Sequence, residues 1–386
     1  MFRNLPKGVV ALGFVSLFMD VSSEMIHALL PLFLTGTLGA TALAVGLIEG
    51  AGEATAQIVK VFSGAWSDRI GRRKPLLIAG YGLAALTKPV FAVAGGAGTV
   101  LAARMADRIG KGIRGAPRDA LVADLVPEDQ RGAAYGLRQS LDTAGAFLGP
   151  LLAIALMLLS GGDIRLVFAV AVLPAAVAVL VLWRGVSEPP RHDGERKVPP
   201  RLDRRTLAAL GPAFWRVAAF GAALSFARIS EAFLILKSAD AGLEPAWAPA
   251  VFVLMNLVYG VVAWPAGALS DRAGQGGLLR LSILTLAAAH LIFAATGGLA
   301  SAFVGIALWG VHMGLSQGLL SAAIARAAPS ELRGTAFGAF NLMSGVATLG
   351  ANALAGALWT LSGPGATFAA AAAAALAALL IAPRYR

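Results

Sequence analysis

The residues able to do chemistry fall in stretches that are otherwise apolar. Asp20, Glu24 and His27 stand at i, i+4 and i+7, so a helix would put all three on one face. Glu49, Glu53, Gln57 and Lys60 repeat that spacing further on. Arg104, Asp107, Arg108, Lys111 and Arg114 share one helical side, which Arg118 continues. Lys88, Arg138 and Asp142 complete the set. Carboxylates beside such cations exchange partners when one takes up a proton, and the cations themselves can hold an anion. His27 lies one turn from Glu24 and titrates near neutrality, which suits a proton relay. The second half offers only Arg228, Glu231, His290 and His312, with the neutral Asn256, Gln317, Asn341 and Asn352. The expectation is proton coupling at Asp20, Glu24, His27, Glu49 and Glu53. Substrate binding falls to Arg104, Arg108, Lys111, Arg138, Arg228, Glu231 and Gln317. Arg108 needs a carboxylate or an anionic substrate; side chains at i and i+1 diverge, so its partner is expected from another helix rather than from Asp107.

The elements that must hold these charges belong in a membrane. The chain has 386 residues, 58% hydrophobic and 14% charged, with a mean hydropathy of +0.74. Soluble domains carry about 25% charged residues, so this chain lacks the polar surface to cover a water-soluble globule. Apolar stretches recur twelve times, near 8–38, 41–65, 75–95, 99–122, 132–159, 164–183, 211–237, 247–269, 278–296, 300–325, 335–360 and 365–383. Each should be a helix, because backbone exposed to lipid must satisfy its own hydrogen bonds. A charge near the bilayer centre costs at least ~2.5–3.5 kcal/mol, so the intramembrane set must face protein or a water-filled cavity. Buried pairs barely offset their desolvation, so the set points to function rather than to stability alone.

The formal net charge of +11 does not mark a nucleic-acid protein. With the N-terminus in the cytoplasm, 21 of the 32 Lys and Arg residues fall on that side and only Arg165 and Lys237 on the other. That asymmetry predicts both termini inside. The first stretch reads as an uncleaved span, since no small-residue cleavage site follows Gly8–Met19. Residues 184–206 hold four prolines and eleven charged residues, and divide the chain into halves 1–183 and 207–386. An internal repeat supports the division. Gly64-Ala-Trp-Ser-Asp68-Arg69 returns as Gly267-Ala-Leu-Ser-Asp271-Arg272, and the Arg131-Gly132 neighbourhood returns at Arg333-Gly334.

Enzyme readings fail on context. Gly110-Lys-Gly112-Ile-Arg-Gly115 has no preceding strand to make a dinucleotide site. Gly314-Leu-Ser316-Gln-Gly318 lies within a span, where no nucleophile elbow can form. The chain has no cysteine, which excludes thiolate metal sites, and no metal or cofactor is expected.

The halves and the motifs together resemble the major facilitator superfamily. Gly64-x-x-x-Asp68-Arg69-x-Gly71-Arg72-Arg73-Lys74 is similar to its signature between spans 2 and 3. Arg108-x-x-x-Gly112 is similar to its span-4 arginine motif, and Gly136, Gly145, Gly149 and Pro150 to its span-5 antiporter pattern. The resemblance implies an all-α membrane protein with twelve helices in two pseudo-symmetric six-helix bundles. It further implies transport of a small molecule, most simply proton-coupled efflux from the cytoplasm by a monomer in the inner (plasma) membrane. The alternative is an organic anion, a phosphate or carboxylate ester, bound by the span-4 bases. Gly64, Asp68, Arg69, Gly71, Arg72 and Arg73 would form the gating motif, with Asp68 facing a helix N-terminus and the arginines pairing with Asp124 or Glu128. Gly136, Gly145, Gly149 and Pro150 would pack helices.

Overall fold

The computed structural model describes residues 5–70, 72–188, 203–273 and 275–382, without the side chains at 65, 68, 271–273 and 275. Every regular element among them is helical. The helices are α1 (Lys7–His27), α2 (Leu30–Leu32), α3 (Ala42–Ile70), α4 (Lys74–Val93), α5 (Ala97–Asp124), α6 (Arg131–Leu159), α7 (Ile164–Val170) and α8 (Val172–Gly185). After the linker come α9 (Arg204–Ala209), α10 (Gly211–Ala227), α11 (Ala232–Asp240), α12 (Ala250–Ala273), α13 (Gln275–Ala295), α14 (Leu299–Ala327) and α15 (Arg333–Leu380).

Ten stretches among the described residues are long and apolar enough to cross a bilayer. Two more crossings come from physical detail. α5 has the length, 28 residues, but its charges set it apart from the apolar ten. α15 bends at Gly363, whose φ of +83° only glycine adopts readily, and Pro364 follows, so its 48 residues make two crossings. The chain is therefore an all-helical, multi-pass membrane protein of twelve crossings.

Two crossings are interrupted. α1 stops at His27, one turn before Pro31, whose missing N–H and bulky ring break the helical ladder. α10 stops at Ala227 with no proline nearby, and the chain turns through Arg228 (φ −89°, ψ 86°) before α11. Side chains cover the freed backbone there. His290 Nε2 lies 3.1 Å from Ala227 O, and Ser230 N donates to Asn352 Oδ1 at 2.6 Å. A break inside a membrane needs such partners.

Contacts gather the chain into two units, 1–29 with 55–199 and 30–54 with 200–386. In the first, α1 packs on α6 and α8, and α4 on α5. Its core includes Leu12, Met19, Leu77 and Tyr81, all fully buried. In the second, α14 packs on α12 and α13, and α15 on α10 and α13. Residues 30–54 join the second unit through small residues. A Cβ at Gly356 would lie 2.6 Å from Ala42 O, and one at Gly50 3.0 Å from Asn352 Cβ.

Candidate functional site

The first unit collects charges from four helices. Close approach of α6 to α1 makes this possible. A Cβ at Gly145 would sit 2.6 Å from Leu17 O, and one at Gly149 2.8 Å from Glu24 Cβ. Gly136 differs, with nothing within 4 Å, so the helix contact rests on Gly145 and Gly149. Pro150 follows inside α6 and is buried. α5 reaches α3 in the same manner: Ser63 Oγ donates to Gly112 O at 2.8 Å, and a Cβ at Gly64 would lie 3.3 Å from Ala116 Cβ.

Within this frame two groups of ion pairs form. In one, Lys88 Nζ on α4 lies 2.9 Å from Asp107 Oδ1 on α5 and 3.1 Å from Ser23 Oγ on α1. Arg108 Nε lies 3.9 Å from Asp107 Oδ2, an ion-pair distance beyond hydrogen-bond reach, although side chains at i and i+1 are expected to diverge. In the other group, Asp142 on α6 accepts from Arg138 Nη1 at 2.7 Å and lies 3.8 Å from Arg118 Nη1. Arg118 also donates to Ser16 Oγ at 3.0 Å, and Asp119 lies 3.4 Å from it and 3.8 Å from Arg138. Arg114 stacks over Tyr81, 4.5 Å from the ring centre.

The remaining carboxylates of α1 stand in different settings. Glu24 Oε2 lies 3.7 Å from His27 Nδ1. Asp20 is half-buried and, among the described residues, closes no hydrogen bond or ion pair, although Asp142, Arg114, Arg118 and Lys111 act on it electrostatically. Arg104, Asp107 and Arg108 are buried, while Lys111 is exposed midway along α5. An ammonium at that depth must open on water rather than lipid.

The other predicted residues belong to the second unit. Glu49 (buried) and Glu53 (half-buried) occupy the stretch of α3 that belongs to the second unit. Arg228 and Glu231 flank the break between α10 and α11, half-buried and with no ion pair among the described residues. Gln317 is exposed on α14. His312 Nδ1 contacts Ser282 O at 2.7 Å, and His290 meets the Trp309 ring edge-on at 5.3 Å, so both histidines are packed into the second unit. Among the described residues no acid–histidine cluster could hold a metal.

At the gating motif, Arg73 on the approach to α4 donates through Nε to Asp124 at the end of α5, and its backbone N–H to Glu188. Arg69 and Arg72 are exposed. Gly71, the side chain of Asp68 and linker residues 189–202 lie outside the described residues. Sequence reading missed Ser16, Ser23, Tyr81 and Asp119. The two serines were discoverable, since they share the helical face of Asp20, Glu24 and His27.

Twelve crossings, breaks inside spans and charges turned into a helical bundle define a membrane transporter, not an enzyme. The chain belongs to the Major Facilitator Superfamily, whose sequence profile matches residues 12–351. An MFS-type transporter of Methanocaldococcus jannaschii, MJ1317, is 30% identical over 372 residues, covering 93% of this chain and 90% of that one. The multidrug resistance protein MdtH of Edwardsiella ictaluri is 32% identical over 151 residues, 39% of this chain and 35% of its own. Among solved structures, the peptide transporter POT in complex with sulfate superposes with a TM-score of 0.80 at 18% identity, covering 99% of this chain and 94% of that one. The human organic anion transporter MFSD10 superposes at 0.71 and 19%, covering 98% and 99%. At these identities the structures share the fold.

Proposed function

We propose that the chain is a proton-driven exporter of small organic solutes that works by alternating access. The halves 1–183 and 207–386, joined by 184–206, rock to expose the solute site to one side and then the other. The observation that carries this reading is Asp20. A carboxylate in mid-span that closes no ion pair is stable there when protonated, and when ionised it must draw a neighbouring cation closer. The cations that act on it are Arg114, Arg118 and Lys111, and of these Arg118 is held by Asp142 on the facing helix. Proton loss from Asp20 therefore draws a guanidinium from Asp142, and proton gain returns it. This exchange links protonation to the packing of α1, α5 and α6. Glu24 with His27, and Glu49 with Glu53, supply further protonatable groups.

Arg73 with Asp124 would latch one face of the membrane closed, together with Asp68, Arg69 and Arg72. We place the protein as a monomer in the inner membrane, with both termini in the cytoplasm, on the positive-inside distribution of its Lys and Arg. The likeness to the multidrug protein MdtH supports export.

A second reading rests on the exposed Lys111 and on the bases around it: the solute is an organic anion held by Arg104, Arg108 and Lys111. Arg108→Lys separates the two. Under proton exchange at Asp20, in which Arg108 takes no part, it leaves coupling near wild type; under anion transport it chiefly raises the apparent Kd, because the bidentate fork is lost. The direct test of export is uptake of labelled solutes, cationic, neutral and anionic, into everted membrane vesicles acidified by proton pumping. Accumulation of one class that collapses with a protonophore supports the proposal. Uptake indifferent to the gradient contradicts it.

A further inference from the structure

The first unit carries a groove that proton exchange and solute binding leave unused. It lies between α4 and α8 and encloses about 600 Å³. Small residues open it: Gly82 and Pro89 on α4 and Ala176 on α8 replace the bulk that Leu86 and Trp183 supply at its walls. All its lining side chains are apolar apart from the indole N–H of Trp183. On α8 it runs from Val172 to Trp183, roughly 16 Å at 1.5 Å per residue. That is about half of the ~30 Å hydrocarbon core, the depth of one leaflet.

The Trp183 end of the groove is cationic. Lys74 Nζ donates to Trp183 O at 2.9 Å, and among the described residues two of its three donors have no other partner. The Arg184 guanidinium lies 5.7 Å from the Trp183 ring centre and is exposed. Under the orientation proposed above, this end meets the cytoplasmic leaflet, where anionic lipids concentrate. A helix of a second copy would run the full membrane thickness, whereas this groove is one leaflet long with two cations at its mouth. An acyl chain below a phosphate has that shape and that charge.

We propose that the α4/α8 groove binds an anionic phospholipid of the inner leaflet, one acyl chain lying between Pro89 and Trp183 and the phosphate held by Lys74 and Arg184. Trp183 serves as the probe. The full-length protein is reconstituted in phosphatidylcholine vesicles carrying a minor fraction of either phosphatidylglycerol or phosphatidylcholine brominated on the acyl chain. The Trp183 signal is the difference between wild type and Trp183→Phe. Brominated phosphatidylglycerol should quench that signal with an affinity on the order of tenfold higher than brominated phosphatidylcholine, since each basic side chain near an anionic headgroup adds several-fold. The preference should vanish in the Lys74→Gln/Arg184→Gln double variant, while quenching by phosphatidylcholine stays. If that variant does not fold, unbrominated phosphatidylglycerol should relieve the quenching in wild type, and inorganic phosphate should not. Equal quenching by the two lipids, a preference that survives the double substitution, or relief by phosphate alone would each overturn the proposal.

Discussion

The Lys88–Asp107 pair allows a prediction with a worked magnitude. Its side chains are only 2% and 7% exposed, and its charges lie 2.9 Å apart. With an effective dielectric near 20, their attraction is about 6 kcal/mol. Desolvation of two buried ions costs several kcal/mol each, so the intact pair contributes little net stability. Removing one partner is different, because the other stays buried and charged. Asp107→Asn leaves the Lys88 ammonium with Ser23 Oγ, and Lys88→Met leaves Asp107 with Arg108 at 3.9 Å. Each single change should cost about 3–5 kcal/mol, and the double variant should lie within about 1 kcal/mol of wild type. Reversible unfolding of the reconstituted protein closes the cycle, with an expected coupling energy of at least about 5 kcal/mol. Additive single effects would refute the pairing. If the double variant also retains transport, the pair is scaffold and the exchanging carboxylate lies elsewhere, as argued for Asp20.

Two further changes test the frame around that carboxylate. Gly145→Ala drives a methyl group onto Leu17 O and should destabilise by about 1–3 kcal/mol. Gly136→Ala meets nothing and should stabilise by about 0.5 kcal/mol; the reverse order would show that α1 and α6 do not meet as described. Asp124 is 38% exposed, so Asp124→Asn should cost no more than about 1 kcal/mol. It should nonetheless shift the inward–outward balance read by spin-label distances between the halves, and an unchanged distribution sinks the latch.

Much of the fold was legible because membrane chemistry leaves few alternatives. Twelve apolar stretches became twelve crossings, and even the charged α5 was recognisable from its length between loops. The interruption after His27 follows from Pro31, which the sequence displays. The interruption after Ala227 does not, since it depends on His290 and Asn352, which lie 63 residues from Ala227 and 122 from Ser230. Charges were visible as residue types, but their partners were not. Asp142 holds Arg138 at helical spacing and Arg118 across helices, and only the second needed the fold. The span-5 glycines carried one pattern, yet Gly145 and Gly149 face α1 while Gly136 faces open space.

The central claim is that Asp20 carries the coupling proton, and Asp20→Asn tests it most directly. Purified wild-type and variant proteins in liposomes are compared in two assays: solute accumulation driven by an imposed pH gradient, and solute exchange at equal pH. The account predicts that Asp20→Asn abolishes gradient-driven accumulation and retains exchange, because a fixed neutral side chain binds but cannot release a proton. Gradient-driven accumulation at the wild-type level in Asp20→Asn would contradict it.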